Sequence, residues 1–184
     1  MDHNWDADSL KSSDLSRLII AIHLVAYPSS SMEDGDEPLH QTNHWCFFLE
    51  FGDHTSVKLE VTPGNGSDGL RGKIRLTSKT HACTSNNIQK LTFNLNSTVC
   101  LADLVGIAQA HDRQRYQFAP GWEGCRYWNY VLIQDLENHT VLGRGAANQA
   151  WGIMSWFYHS VRGIKRRSIK MGMFRPRRYN LYET

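Results

Sequence analysis

Residues 44–64, "HWCFFLEFGDHTSVKLEVTPG", constrain the fold more than any other stretch. Two apolar runs flank the short polar segment "GDH", which reads as a hairpin closing at residues 52–54. Side chains alternate along a strand, so His44, Cys46 and Phe48 share one face while Trp45, Phe47, Leu49 and Phe51 take the other. On the returning strand Val57, Leu59 and Val61 oppose Lys58, Glu60 and Thr62. With that turn, residues whose numbers sum to about 106 pair across the hairpin, and His44 lies one diagonal step from Glu60.

The rest of the chain extends this sheet and then changes period. "SRLIIAIHLVAYP" (16–28) is apolar and β-branched and reads as a buried strand; "KIRLTS" and "KLTFNLN" follow the hairpin, for about five strands. From Thr98, an expected N-cap, the residues Leu101, Leu104, Val105 and Ala108 recur at helical spacing. "QFAPGWEG" breaks that helix. A second is expected to begin near Gly121 and to carry Cys125, Trp128, Leu132 and Leu136, and a third to cover roughly residues 146–161. Strands first and helices afterwards predict an α+β domain, an antiparallel sheet packed by helices. At 184 residues and 41% hydrophobic content the chain suffices for one sizeable core. The expected organisation is a flexible N-terminus over 1–15, a single domain over 16–161 and a basic C-terminal segment over 162–184.

Charge and cysteine usage narrow the function classes. The formal net charge is only +2, yet nine of the 20 Lys and Arg residues fall between Asn138 and Tyr182, where there is no Asp or Glu. Arg162, Lys165, Arg166, Arg167 and Lys170 lie in that block, and an anionic surface or a phosphate group is the contact they suggest. No signature of sequence-specific nucleic-acid binding accompanies them. The apolar run at 18–27 is too short to cross a bilayer, and "MDHNWDADSLKSSD" has no basic region leading into an apolar one, so a cytoplasmic protein is expected. Cys46, Cys83, Cys100 and Cys125 are widely separated, without metal-finger spacing, and are expected as free thiols in a reducing compartment. His44 and Cys46 could form half of a metal site, but the second tight pair that a structural zinc needs is missing; no metal or cofactor is expected.

"GWEGCRYWNY" (121–130) raises the chemical question. A thiol in the first turn of a helix meets unpaired N–H groups and the positive end of the helix dipole, both of which favour thiolate. Cys125 as nucleophile, His44 as base and Glu60 as the carboxylate orienting the imidazole through Nδ1 form an activated-nucleophile arrangement. Neighbouring N–H groups could then hold an oxyanion. Trp45, Trp122, Gly124 and Tyr127 are the candidates for contacting a small-molecule or acyl substrate. Each member also has an ordinary reading: unpaired cysteines are often buried, and a strand His or Glu needs no special role.

In order and spacing, the His-Trp strand, its hairpin and "AQAHDRQRYQFAPGWEGCRYWNYVLIQDLEN" resemble the circularly permuted NlpC-type papain-like proteins. Within them the chain is most similar to the lecithin:retinol acyltransferase-like and H-Ras-like-suppressor acyltransferases. The resemblance covers roughly residues 16–138. It implies a permuted papain-like fold, with Cys125 where that family's nucleophile stands and Glu60 at the second polar position. Gly124 replaces the usual Asn, Glu60 replaces a frequent His, and no long apolar C-terminal anchor follows. A cysteine-dependent hydrolase or acyltransferase acting on an amide, ester or thioester is the function implied. The alternative is a catalytically inactive binding module whose basic C-terminal segment engages an acidic partner.

Overall fold

The computed structural model describes residues 4–28, 42–159 and 163–175. Its centre is the expected hairpin, β3 (Trp45–Phe51) and β4 (Ser56–Asn65), antiparallel with Phe47 opposite Leu59, Phe48 opposite Lys58 and Leu49 opposite Val57. β2 (Ile19–Ala26) pairs with β3, and β6 (Gln89–Asn94) pairs with the other edge of β2. β5 (Arg71–Lys79) lies beyond β4. These are the five strands read from the sequence.

The sheet is larger than that reading. β1 (Trp5–Ser9) runs parallel to β5, and Trp5 is buried in the core, so the stretch expected to be a flexible N-terminus contributes a strand. β7 (Tyr116–Gln117) and β10 (Met173–Phe174) extend the sheet past β5, giving eight strands with the order β10-β7-β5-β4-β3-β2-β6 and β1 added on β5. Each addition is only two to five residues long, too short to show an alternating signature. β8 (Trp156–His159) and β9 (Gly163–Arg166) form a separate two-stranded ribbon. The curled sheet is antiparallel apart from β1 and carries its helices on one face: the molecule is α+β.

α1 (Leu101–Ala110), α2 (Cys125–Asn138) and α3 (Ala146–Met154) supply that helical layer. α1 starts two residues later than expected, because Cys100, not Thr98, is the N-cap, in a reciprocal capping box with Asp103. α2 begins at Cys125 rather than Gly121: Gly121 and Trp122 have positive φ, and the chain enters the helix only through Gly124. The third helix ends at Met154, and part of the stretch assigned to it runs on as β8.

The face assignment made from alternation holds. Trp45, Phe47, Leu49, Phe51, Val57, Leu59 and Val61 pack against Leu104, Trp128, Leu132 and Leu136 in one large core. Full burial of each such side chain is worth about 1.5–3 kcal/mol, which pins the register, since a one-residue slip would expose the whole set. Val25, Cys46 and Phe48 form a smaller cluster on the opposite face, with Cys83 packed against it. His44 and Glu60 belong to this second face, at the end of the hairpin where α2 begins. Among the described residues no helix is long and apolar enough to cross a membrane.

Candidate active site

Gly124 makes the start of α2. Its φ of 146° is accessible to glycine, and a Cβ there would lie 2.6 Å from the Tyr116 hydroxyl oxygen. That hydroxyl donates to the Gly124 carbonyl at 2.8 Å and accepts from the Gly172 N–H at 3.0 Å, fixing the turn from which Cys125 projects. The side chain of Asn129, one turn into α2, donates to the Trp45 carbonyl at 2.9 Å and so ties the helix to the first residue of β3. These contacts bring the half-buried Cys125 sulfur to His44, whose imidazole hydrogen-bonds it.

The other side of the ring meets Glu60. His44 Nε2 donates to Glu60 Oε2 at 2.9 Å, and Lys58 Nζ reaches the same oxygen at 2.8 Å. The ring is therefore used the opposite way round from the expected Nδ1–carboxylate contact. His44 precedes β3 and turns Nε2, not Nδ1, to Glu60. Tyr27 stacks on the imidazole with ring centroids 6.3 Å apart, and the Lys58 ammonium sits 5.0 Å from the centre of the Tyr27 ring.

The electrostatics follow from these partners. Burial alone would push the His44 pKa down; hydrogen bonds to Cys125 and Glu60, with their charges, outweigh it and raise it to about 9. Burial likewise disfavours the Glu60 carboxylate, but the hydrogen bonds from His44 and Lys58 hold it at about 2. For Cys125, burial opposes ionisation, whereas the His44 hydrogen bond and charge, the Trp45 backbone N–H and the Arg126 guanidinium favour it; the thiol lies below its ordinary range. Cys46 is the contrast: buried in the smaller cluster, its thiol is pushed far up. Both shifts act towards a thiolate–imidazolium pair.

The remaining expected contact residues are distributed differently. The Trp45 ring is fully buried and packs edge-on against Tyr158, so its backbone N–H, not its indole, faces the sulfur. Trp122 is 65% exposed in the turn that precedes α2. Tyr127 packs against Tyr130 and Phe174 along α2. Lys58, Tyr27, Tyr116 and Asn129 were not singled out from the sequence. Lys58 was legible in principle, sharing a strand face with Glu60 two residues away; Tyr27 and Tyr116 reach the site only through the fold. All four cysteines are free, and among the described residues no group of three or more His, Cys, Asp or Glu side chains is placed to hold a metal ion.

A family model described as a domain of unknown function (DUF7770) matches residues 22–175. The chain belongs to this family. The DUF7770 match begins within β2 and ends just past β10, and so takes in His44, Glu60, Gly124 and Cys125. No curated protein and no solved structure matches the chain.

Proposed function

We propose that this DUF7770 chain is a cysteine-dependent hydrolase or acyltransferase. The hydrogen-bonded series Cys125–His44–Glu60 carries the reading: a thiol at a helix start, an imidazole on it and a carboxylate on the imidazole. The Cys125 thiolate attacks the carbonyl carbon of an amide, ester or thioester; a C–S bond forms and the carbonyl π electrons move to oxygen. The unpaired N–H groups of the first turn of α2 are the donors available to that oxyanion. As the tetrahedral adduct collapses, the C–X bond breaks and His44 gives its proton to the leaving group. Water or an amine then attacks the acyl-enzyme, its proton passing to His44, and the thiolate is released.

The strand–hairpin–helix order supports a permuted papain-like relationship as part of the proposal, and free thiols suit a reducing, cytoplasmic setting. The alternative of an inactive binding module implies a sulfur held away from the imidazole, and the Cys125–His44 contact weighs against it. Gly124 in place of Asn is accounted for by its positive φ and the nearby Tyr116 hydroxyl. Alkylation with iodoacetamide at about pH 6, read by peptide mass spectrometry, tests the site. Cys125 is expected to react at least roughly tenfold faster than Cys46, Cys83 and Cys100, and His44→Ala to abolish that advantage. With activated acyl thioesters, the intact chain should gain one acyl mass and Cys125→Ala none. Equal labelling of all four thiols would refute the proposal.

A further inference from the structure

Among the described residues, seven large hydrophobic side chains are exposed, and four of them lie between positions 156 and 173: Trp156 at 37%, Ile164 at 64%, and Met171 and Met173 at 61% each. The chain from His139 to Tyr182 contains no Asp or Glu, and Lys165, Arg166, Arg167 and Lys170 lie between Ile164 and Met171. In the ribbon, Trp156 stands opposite Arg166, and Ile164 lies two residues along on the same face. Met171 and Met173 flank Gly172, whose N–H is held by the Tyr116 hydroxyl.

This surface is firmly attached and sits close to the thiol. The buried Arg126 guanidinium donates to the carbonyls of Met154, Arg167 and Ser168, clamping the segment onto α2 immediately after Cys125. Trp122, three residues before the thiol in the chain, is exposed as well.

We propose that residues 156–159 and 163–173 form a docking surface for an anionic lipid bilayer. Interleaved cations and exposed apolar side chains suit an interface where headgroup charge and acyl chains lie within a few ångströms of each other. An acidic peptide would satisfy the cations and leave Ile164, Met171 and Met173 in water. Nucleic acid would meet the cations through its phosphates and likewise leave Ile164, Met171 and Met173 in water. The docking surface is independent of the thiol chemistry, and its orientation would present the Cys125 end of α2 to the membrane.

Sedimentation of the full chain with vesicles tests this. Binding is expected to phosphatidylcholine vesicles containing about 30% phosphatidylserine and not to phosphatidylcholine alone, with loss of binding as salt rises from about 0.1 M to about 0.5 M. Arg166→Glu with Lys170→Glu should weaken binding by at least about 25-fold, taking about fivefold for each charge. Ile164→Ser with Met171→Ser should weaken it at least about tenfold at low salt. If the charge-reversed chain melts early, Lys170→Gln serves instead, with about a fivefold loss. Cys125→Ala should bind like the parent, so failure of the catalytic proposal leaves this one standing. The docking proposal is overturned by equal binding to neutral vesicles, by unchanged binding of the variants, or by retention on RNA or polyglutamate without vesicle binding.

Discussion

Glu60 offers one oxygen, Oε2, to two cations, and this sharing sets the character of His44. Lys58 draws part of the carboxylate field away from the imidazole, so the ring is held protonated less firmly than an unshared carboxylate would hold it. Lys58→Met is expected to move the alkaline limb of Cys125 alkylation, where His44 gives up its proton near pH 9, upward by about half a unit. An unmoved limb would assign Lys58 a purely structural role. Gly124 is constrained more tightly. Gly124→Ala should cost about 2 kcal/mol in denaturant unfolding, from positive φ together with the Tyr116 contact. The cost should shrink in the Tyr116→Phe background, because the hydroxyl is the atom a Cβ meets first.

The elements owe their ends to a few polar side chains. α3 has no side chain of its own capping its first turn; the Glu137 carboxylate, from the last turn of α2, accepts from the Gly145 N–H at 2.7 Å and the Ala147 N–H at 3.0 Å. One carboxylate thus fixes the α2–α3 turn and places negative charge at a helix N-terminus. Glu137→Gln should cost about 1 kcal/mol and Glu137→Ala about 2 kcal/mol, measured as a shift in the urea midpoint at constant slope. A large change in slope would point instead to loss of two-state unfolding.

For the whole molecule, these ionisable groups set how stability depends on pH. Glu60 titrates at about 2 in the fold against 4.5 unfolded, so its contribution is full above 4.5 and is lost as pH falls through about 2. His44 and Cys125 act in opposite directions. His44, raised from 6.5 to about 9, contributes below 6.5 and loses its contribution as pH rises through about 9; Cys125, lowered, contributes above its ordinary value and less below it. As pH rises above 6.5, His44 therefore pulls stability down while Cys125 pulls it up. Glu60→Gln is expected to destabilise the chain at pH 7, and the difference from the parent should shrink towards pH 2. A difference that persisted undiminished at low pH would show that the loss comes from packing rather than from charge.

Alternation and turn chemistry determined the hairpin, its register and both of its faces, because a period of two with one face fully buried leaves no other register stable. The change to helical spacing after residue 98 likewise determined the α+β class. Local sequence could not supply β1, β7 and β10, whose two to five residues become strands only where β5 and β7 offer free edges. Nor could it decide which nitrogen of His44 meets Glu60, that Lys58 shares the oxygen, or that Tyr116 closes over Gly124. Those contacts depend on how side chains turn and pack once the hairpin and the start of α2 are in place, which the residue pattern by itself does not carry.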